Sequence, residues 1–129
     1  MRANELRIGN IVEYLVHDEL ANPKLEWVEN VVDLDDLRAI ETSENYRPMK
    51  LNEDILLKFG FEVRYTIGHS AQYYINENPV THDWMLSILW LEGDSCPFYK
   101  NGHHKIKHVH QLQNLYFALT GEELTYTQP

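Results

Sequence analysis

The chain has 129 residues, a net charge of −9, 43% hydrophobic residues and 24% charged residues. These proportions are ordinary for a globular protein and argue against a disordered or membrane-spanning class. The length is that of one common domain, so we expect a single domain over 1–129. The acidic total also argues against tight, direct binding of nucleic acid, which depends on neutralising phosphates with many cations.

The charges are distributed unevenly along the chain. Residues 13–44 contain ten acids and only two basic residues, a balance of −8. The ten acids are Glu13, Asp18, Glu19, Glu26, Glu29, Asp33, Asp35, Asp36, Glu41 and Glu44. Residues 99–110 show the opposite pattern, with three lysines, four histidines and no acid.

The N-terminal third predicts antiparallel strands. Segments 6–16, 25–32 and 36–42 combine β-branched, aromatic and alternating apolar residues, a pattern typical of a meander. A small SH3-like barrel is the alternative arrangement. After these strands, Asn52 is a suitable N-cap for a short central helix that ends at Gly60.

The second half predicts another antiparallel sheet. Segments 61–67 and 72–75 are expected to pair, and 83–91 is apolar on both faces, which favours a central position. Asn101-Gly102 indicates a tight hairpin, because both residues accept the positive φ values of a type I′ turn.

The C-terminal segment from Val109 to Thr120 predicts a packing helix. Its apolar residues recur at helical spacing, and Gly121 is a suitable cap. The stripe consists of Val109, Leu112, Leu115, Tyr116 and Leu119. The predicted fold class is therefore α+β, with a meander, a second sheet, one short central helix and one C-terminal helix.

Two terminal motifs carry a resemblance to a known group. The sequence Asn-Glu-Leu-Arg-Ile-Gly-Asn at 4–10 and the run from Val109 to Leu124, VHQLQNLYFALTGEEL, resemble a family of small uncharacterised proteins. Members of that family occur in Bacteroides-type bacteria, their phages and mobile elements. The segment 51–61 is similar to the same family. The resemblance implies a cytoplasmic protein of a bacterial or phage setting and carries over no catalytic residue.

The compartment is also indicated by the residues themselves. Cys96 is the only cysteine and cannot form an internal disulfide, which suits a reducing environment. The N-terminus lacks the apolar stretch of a secretory signal. We therefore expect a cytoplasmic protein with no membrane association.

The first candidate binding residues are His110, Asn114 and Phe117, which recur at i, i+4 and i+7 on one helix face. A solvated face would not usually include phenylalanine, so this row is either ligand-facing or buried between layers. Aromatic residues supply a second signal, since tyrosine is enriched at interfaces and is also an ordinary strand residue. The tyrosines expected on or near a sheet surface are Tyr46, Tyr65, Tyr73, Tyr74, Tyr99 and Tyr126, and Tyr99 joins the candidate binding residues.

A metal site is the alternative use of the basic segment. His103, His104, His108 and His110 lie close in sequence, and imidazole is a common zinc ligand. A zinc site needs three or four converging ligands, whereas a solvated hairpin tip and helix entry would need none.

No phosphate loop, nucleophile elbow or dinucleotide fingerprint occurs, so we expect no cofactor and no catalytic residue. The leading hypothesis is a non-enzymatic interaction protein with a protein partner or a second copy of itself. One alternative is an acidic inhibitor that mimics DNA and occupies a DNA-binding protein. The other is a metal-dependent enzyme that uses the histidines of 103–110.

Overall fold

The structure is a computed structural model that describes residues 2–17, 25–65, 70–77, 84–99 and 104–126. The chain divides into two compact units. Unit 1 is Met1–Met49 with His108–His110, and unit 2 is Lys50–Lys107 with Gln111–Pro129. The single domain expected over 1–129 stays a prediction.

Unit 1 is built on a three-stranded antiparallel sheet. Its elements are a 3-10 turn at Ala3–Glu5, strand β1 at Ile11–His17, strand β2 at Leu25–Val31, helix α1 at Leu34–Ala39 and strand β3 at Tyr46–Pro48. The strand order is β2-β1-β3, so β1 is central. Over the described residues these strands form an open sheet and do not close into a barrel. The core of the unit contains Leu6, Val12, Val32 and Ile40.

The strand predicted over 36–42 is wrong, because this part of the chain contains α1. The Asp33 side chain accepts a hydrogen bond from the Asp36 N–H at 2.9 Å, and Asp36 Oδ2 accepts one from the Asp33 N–H at 3.0 Å. This reciprocal arrangement is a capping box, which satisfies two N–H groups that a helix start leaves unpaired. Leu37 and Ile40 are then three residues apart on the helix side that packs on the unit 1 core.

Unit 2 contains a five-stranded antiparallel sheet. Its elements are helix α2 at Glu53–Lys58, strands β4 at Glu62–Tyr65, β5 at Ala71–Glu77, β6 at Trp84–Trp90, β7 at Phe98–Tyr99 and β8 at His104–Lys105, and most of helix α3 at Val109–Thr120. The strand order is β4-β5-β6-β7-β8, which confirms the central position predicted for 83–91. The strands β7 and β8 pair as predicted, and their Asn101-Gly102 turn lies outside the described residues.

Local signals at both ends of α2 explain its short length. Asn52 Oδ1 accepts the Ile55 N–H at 2.9 Å, which confirms the predicted N-cap. Gly60 has a φ of 95°, a value that favours glycine, and the Phe61 N–H returns to the Leu56 carbonyl at 3.1 Å. Ile55 and Leu56 are buried, so packing stabilises a helix too short to be stable alone.

Helix α3 has the bounds that its sequence predicts. Leu112 and Tyr116 are buried as expected, but Leu119 is 41% exposed, so the predicted apolar stripe is wrong at that position. Gln113, which is not part of the predicted stripe, is buried and donates an Nε2 hydrogen to the Leu124 carbonyl at 3.1 Å. The satisfied amide explains how a polar side chain occupies the core.

Over the described residues, the antiparallel sheets of the two units together with α1, α2 and α3 make the protein α+β, which confirms the predicted class. Among the described residues, no helix combines the length and the apolar character that crossing a membrane requires.

Candidate functional site

A cavity of about 440 Å³ lies at one end of the five-stranded sheet in unit 2, and we name it the Glu53 cavity. Three groups of residues line it. Strands β4 to β6 contribute Tyr65, Ala71, Tyr73 and Trp90, the start of α2 contributes Asn52 and Glu53, and the turn after β6 contributes Leu91, Glu92, Gly93 and Asp94. Its volume is within the range of about 300–1,000 Å³ that is usual for ligand pockets.

The strand register explains why the space exists. Tyr65 pairs with Ala71, and Ala71 pairs with Trp90, so these residues form one row on the same sheet face. The middle residue of the row has only a methyl group, whereas both neighbours are large aromatics. A small side chain between two large ones leaves a recess in the sheet surface, and Ala71 therefore forms the floor of the cavity.

Glu53 borders this cavity beside two tyrosines. It is exposed, and its Oε1 accepts the Tyr65 hydroxyl at 3.1 Å. Burial, followed by the charge of Glu53, raises the pKa of Tyr73 to about 12. The hydrogen bond to Glu53 raises the pKa of Tyr65. Both phenols therefore stay protonated at neutral pH, and the Tyr65 hydroxyl is the donor to the carboxylate.

Trp90 is held in place from the other side. Its indole N–H donates to the Asp94 carbonyl at 2.9 Å, across a turn in which Gly93 has a φ of 86°. The rings of Trp90 and Tyr73 meet edge to face, with centroids 6.4 Å apart and planes 61° apart. Tyr73 is only 3% exposed, so it fixes the Trp90 ring, and the rings open to the cavity are those of Trp90 and Tyr65.

The electrostatic character of the lining is negative. Glu53, Glu92 and Asp94 contribute three carboxylates, and no basic side chain occurs among the described lining residues. Aromatic faces also carry negative potential and attract cations. The cavity thus combines apolar walls with groups that favour a positively charged ligand, and its lining contains none of the nucleophile and base pairs of hydrolytic enzymes.

The predicted row on α3 is divided between different environments. In unit 1, His110 is buried, and its Nδ1 has no hydrogen-bond partner among the described residues. Burial, followed by the neighbouring His108, lowers the pKa of His110, and Glu5 acts in the opposite direction. In unit 2, Asn114 is half-buried and Phe117 is 38% exposed. A binding role for this row stays a prediction.

Tyr99, the fourth predicted binding residue, lines a smaller cavity of about 260 Å³ in unit 2. It lies on β7 with its ring centroid 6.5 Å from that of His104. Lys105, Gln111 and Leu115 also border this cavity. Its polar groups include a lysine and an imidazole, so its charge is opposite to that of the Glu53 cavity.

The histidines predicted as metal ligands are only partly described. His103 lies outside the described residues, and His104 is exposed on β8. The rings of His108 and His110 stack with centroids 5.7 Å apart. Over the described parts of the chain, no three His, Cys, Asp or Glu side chains are grouped as a metal site requires. The metal-dependent alternative stays a prediction.

Several acids of 13–44 have local structural roles in unit 1. Glu13 forms a salt bridge with Arg47 at 3.2 Å, and Glu41 accepts the Ala3 N–H at 3.2 Å. Asp33 and Asp36 make the capping box. The DNA-mimic alternative stays a prediction, since Asp18 and Glu19 lie outside the described residues.

No protein-family model, curated protein or solved structure that was compared with the chain matches it. The family resemblance of the terminal motifs therefore stays a prediction.

Sequence reasoning identified part of the cavity and missed the rest. Tyr65 and Tyr73 were among the tyrosines expected at a surface, and Glu53 directly follows the predicted N-cap Asn52. Trp90 was expected as an apolar strand residue. The sequence does show Ala71 among larger strand residues. It does not show which residues the sheet register places beside Ala71, and the recess depends on those neighbours.

Proposed function

We propose that this protein is a non-enzymatic binding protein that receives a cationic side chain of a partner protein in the Glu53 cavity. The observation that carries the proposal is the Glu53 carboxylate, which accepts the Tyr65 hydroxyl at the wall of an open cavity lined by aromatic residues. Such pre-organisation lowers the cost of binding, because the charged group is already oriented before the ligand arrives.

Charge supports a cation as the ligand. A positive group in the cavity lies near the carboxylates of Glu53, Glu92 and Asp94 and beside the rings of Trp90 and Tyr65. A cation over an aromatic face gains about 0.5–2 kcal/mol, with the larger values in desolvated sites. The three carboxylates would repel an anion.

The position of the cavity supports a polypeptide as the carrier of that cation. Tyr65 belongs to β4, which is at one edge of the five-stranded sheet. An extended partner segment can add to a sheet edge through its backbone while one of its side chains enters an adjacent pocket. A second copy of this chain as the partner stays a prediction that light scattering can test.

The direct test is a titration of the protein with small cations of different chemistry, namely choline, ethanolamine and guanidinium, followed by NMR. The indole N–H of Trp90 is the reporter, because it lies at the cavity wall and donates to a defined acceptor. We expect saturable shifts of this signal with at least one cation. The absence of saturable shifts with all three would overturn the proposal.

Two variants localise the binding. Glu53→Gln keeps the size of the side chain and removes its charge, so we expect affinity to fall about fivefold, the loss that corresponds to ~1 kcal/mol. Ala71→Leu fills the floor of the cavity, so we expect binding to be lost. The matched control is Glu62→Gln, because Glu62 is an exposed residue of β4 that does not line the cavity.

A further inference from the structure

We infer that the cation taken by the Glu53 cavity is a quaternary ammonium group, as in a trimethylated lysine side chain of the partner protein. This inference rests on the proposed function and specifies its ligand. It follows from the two features of the cavity that distinguish cations with N–H donors from cations without them.

The first feature is the arrangement of the rings. Tyr73 and Trp90 meet at 61°, but Tyr73 is only 3% exposed. The rings that a ligand can contact are therefore Trp90 and the third ring of the cluster, Tyr65, which is 68% exposed. A quaternary ammonium spreads its charge over methyl groups that contact ring faces directly, and it has no N–H donors to desolvate. Recognition by aromatic rings therefore suits this cation better than a primary ammonium.

The second feature is that two hydrogen-bond acceptors beside the rings already have donors. Glu53 Oε1 accepts the Tyr65 hydroxyl, and the Asp94 carbonyl accepts the Trp90 indole N–H. A guanidinium binds a carboxylate best through two parallel N–H donors to both oxygens. Glu53 thus supplies negative charge while its occupied oxygen disfavours that bidentate geometry.

The remaining carboxylates do not reverse this preference. Glu92 and Asp94 are exposed residues of the turn after β6, where water competes for N–H donors and weakens ion pairs. They add to the negative potential at the mouth of the cavity, which any cation experiences equally. Glu53 is exposed as well, so discrimination between cations is left to the rings and to the Tyr65 hydrogen bond on Glu53 Oε1.

The test compares four small probes by isothermal titration calorimetry. Choline is the quaternary ammonium, 3,3-dimethylbutan-1-ol is its neutral carbon isostere, ethanolamine has N–H donors on the same frame, and guanidinium has the planar fork. We expect choline to bind about tenfold more tightly than its neutral isostere, and more tightly than the other two cations. A short peptide with trimethyl-lysine, compared with the same peptide carrying unmodified lysine, tests whether the preference holds for a lysine side chain, and the trimethylated peptide should bind more tightly.

The variant Tyr65→Phe tests the role of the engaged acceptors. Tyr65 is largely exposed, so its hydroxyl can be removed without disturbing the core, and the third ring is kept. Because Glu53 Oε1 then loses the Tyr65 donor, we expect guanidinium to gain affinity and the preference for choline to shrink about threefold, a change of the size of one hydrogen bond. A merely structural role of Tyr65 would weaken all four probes together.

The outcomes separate the two proposals. If guanidinium or ethanolamine binds more tightly than choline, the ligand class inferred here is wrong while the cation-binding function stands. If the neutral isostere binds as tightly as choline, charge plays no part and the inference is overturned. If no cation binds at all, the proposed function fails and this inference fails with it.

Discussion

Both units contain a carboxylate that accepts a tyrosine hydroxyl, but the two pairs have different surroundings. In unit 1, Tyr46 donates to Asp36 Oδ1 at 2.7 Å, and Asn30 donates to Asp36 Oδ2 at 3.2 Å. In unit 2, Tyr65 donates to Glu53 at 3.1 Å beside an open cavity. A carboxylate paired with a tyrosine hydroxyl therefore does not by itself define a site. Asp36 builds a helix start, whereas Glu53 borders space for a ligand.

The surroundings of the pair in unit 1 also shift the pKa values of both its members. Burial of the Asp36 carboxyl acts to raise its pKa, but hydrogen bonds from Tyr46, the Asp33 backbone and Asn30 outweigh burial and hold the pKa below its usual 3.8. Burial and the nearby Asp36 also raise the pKa of Tyr46. The Asp36 network is therefore a stabilising structure, whereas Glu53 borders the open cavity.

The largest expected effects are losses of stability from core substitutions, one in each unit. Leu56→Ala in unit 2 and Ile40→Ala in unit 1 each remove a fully buried side chain. Each should lower the free energy of unfolding by about 2–5 kcal/mol, since a cavity replaces packed atoms. Urea unfolding followed by circular dichroism measures both losses. Among molecules that remain folded, only Leu56→Ala should also weaken choline binding, because Leu56 anchors the helix that carries Glu53.

A smaller effect is expected from the unit 1 network. Asp36→Ala removes half of the capping box and the acceptors of Tyr46 and Asn30, so it should cost about 1–3 kcal/mol of unfolding free energy. Asp35→Ala is the matched control, because Asp35 is an exposed neighbour in the same helix turn and should change stability by less than about 0.5 kcal/mol. Equal losses in the two variants would contradict a special role for Asp36.

The same carboxyl predicts a pH dependence with a definite sign. The folded-state pKa of Asp36 is lower than its unfolded value, so its contribution is complete above 3.8 and is lost as the pH falls through the folded value. Wild-type protein should therefore lose more stability than Asp36→Asn when urea midpoints at pH 7 and pH 3 are compared. Parallel pH profiles for the two proteins would rule out this linkage.

The smallest expected stability change is at Glu53. Glu53→Gln leaves an acceptor for the Tyr65 hydroxyl and removes only a favourable charge in the first turn of α2, so it should cost about 0.3–1 kcal/mol. Its effect on choline affinity should nonetheless exceed that of Glu62→Gln severalfold. Thermal unfolding and calorimetry on the same samples give both numbers. A large stability loss without a binding defect would place Glu53 with Asp36 as a structural residue.

The sequence predicted most elements but misassigned one of them. The α3 bounds, the Asn52 cap and the central position of β6 were all confirmed, because each depends on local periodicity or capping chemistry. Residues 36–42 were misassigned as a strand because three scattered apolar residues outweighed the Asp33 and Asp36 cap signature. Helix formation there is decided by that cap and by packing on the unit 1 core.

The sequence predicted only some residues of the candidate site. Tyr65 and Tyr73 were expected at a surface on composition alone, whereas the cavity also needs Ala71 between Tyr65 and Trp90. That neighbourhood joins residues from three strands and a helix start. A register difference of one residue would place every one of these strand side chains on the opposite face.

What the sequence determined by itself is therefore local: the class of fold, the helix caps and the uneven distribution of charge. Only the tertiary structure decided which carboxylate is enclosed in a capping network and which borders a cavity. The physical reason is that burial and ligand access depend on residues brought together from distant positions, through strand register and the packing of α2. Periodicity and composition describe the segment to which a residue belongs. They do not show which residues lie next to it in space.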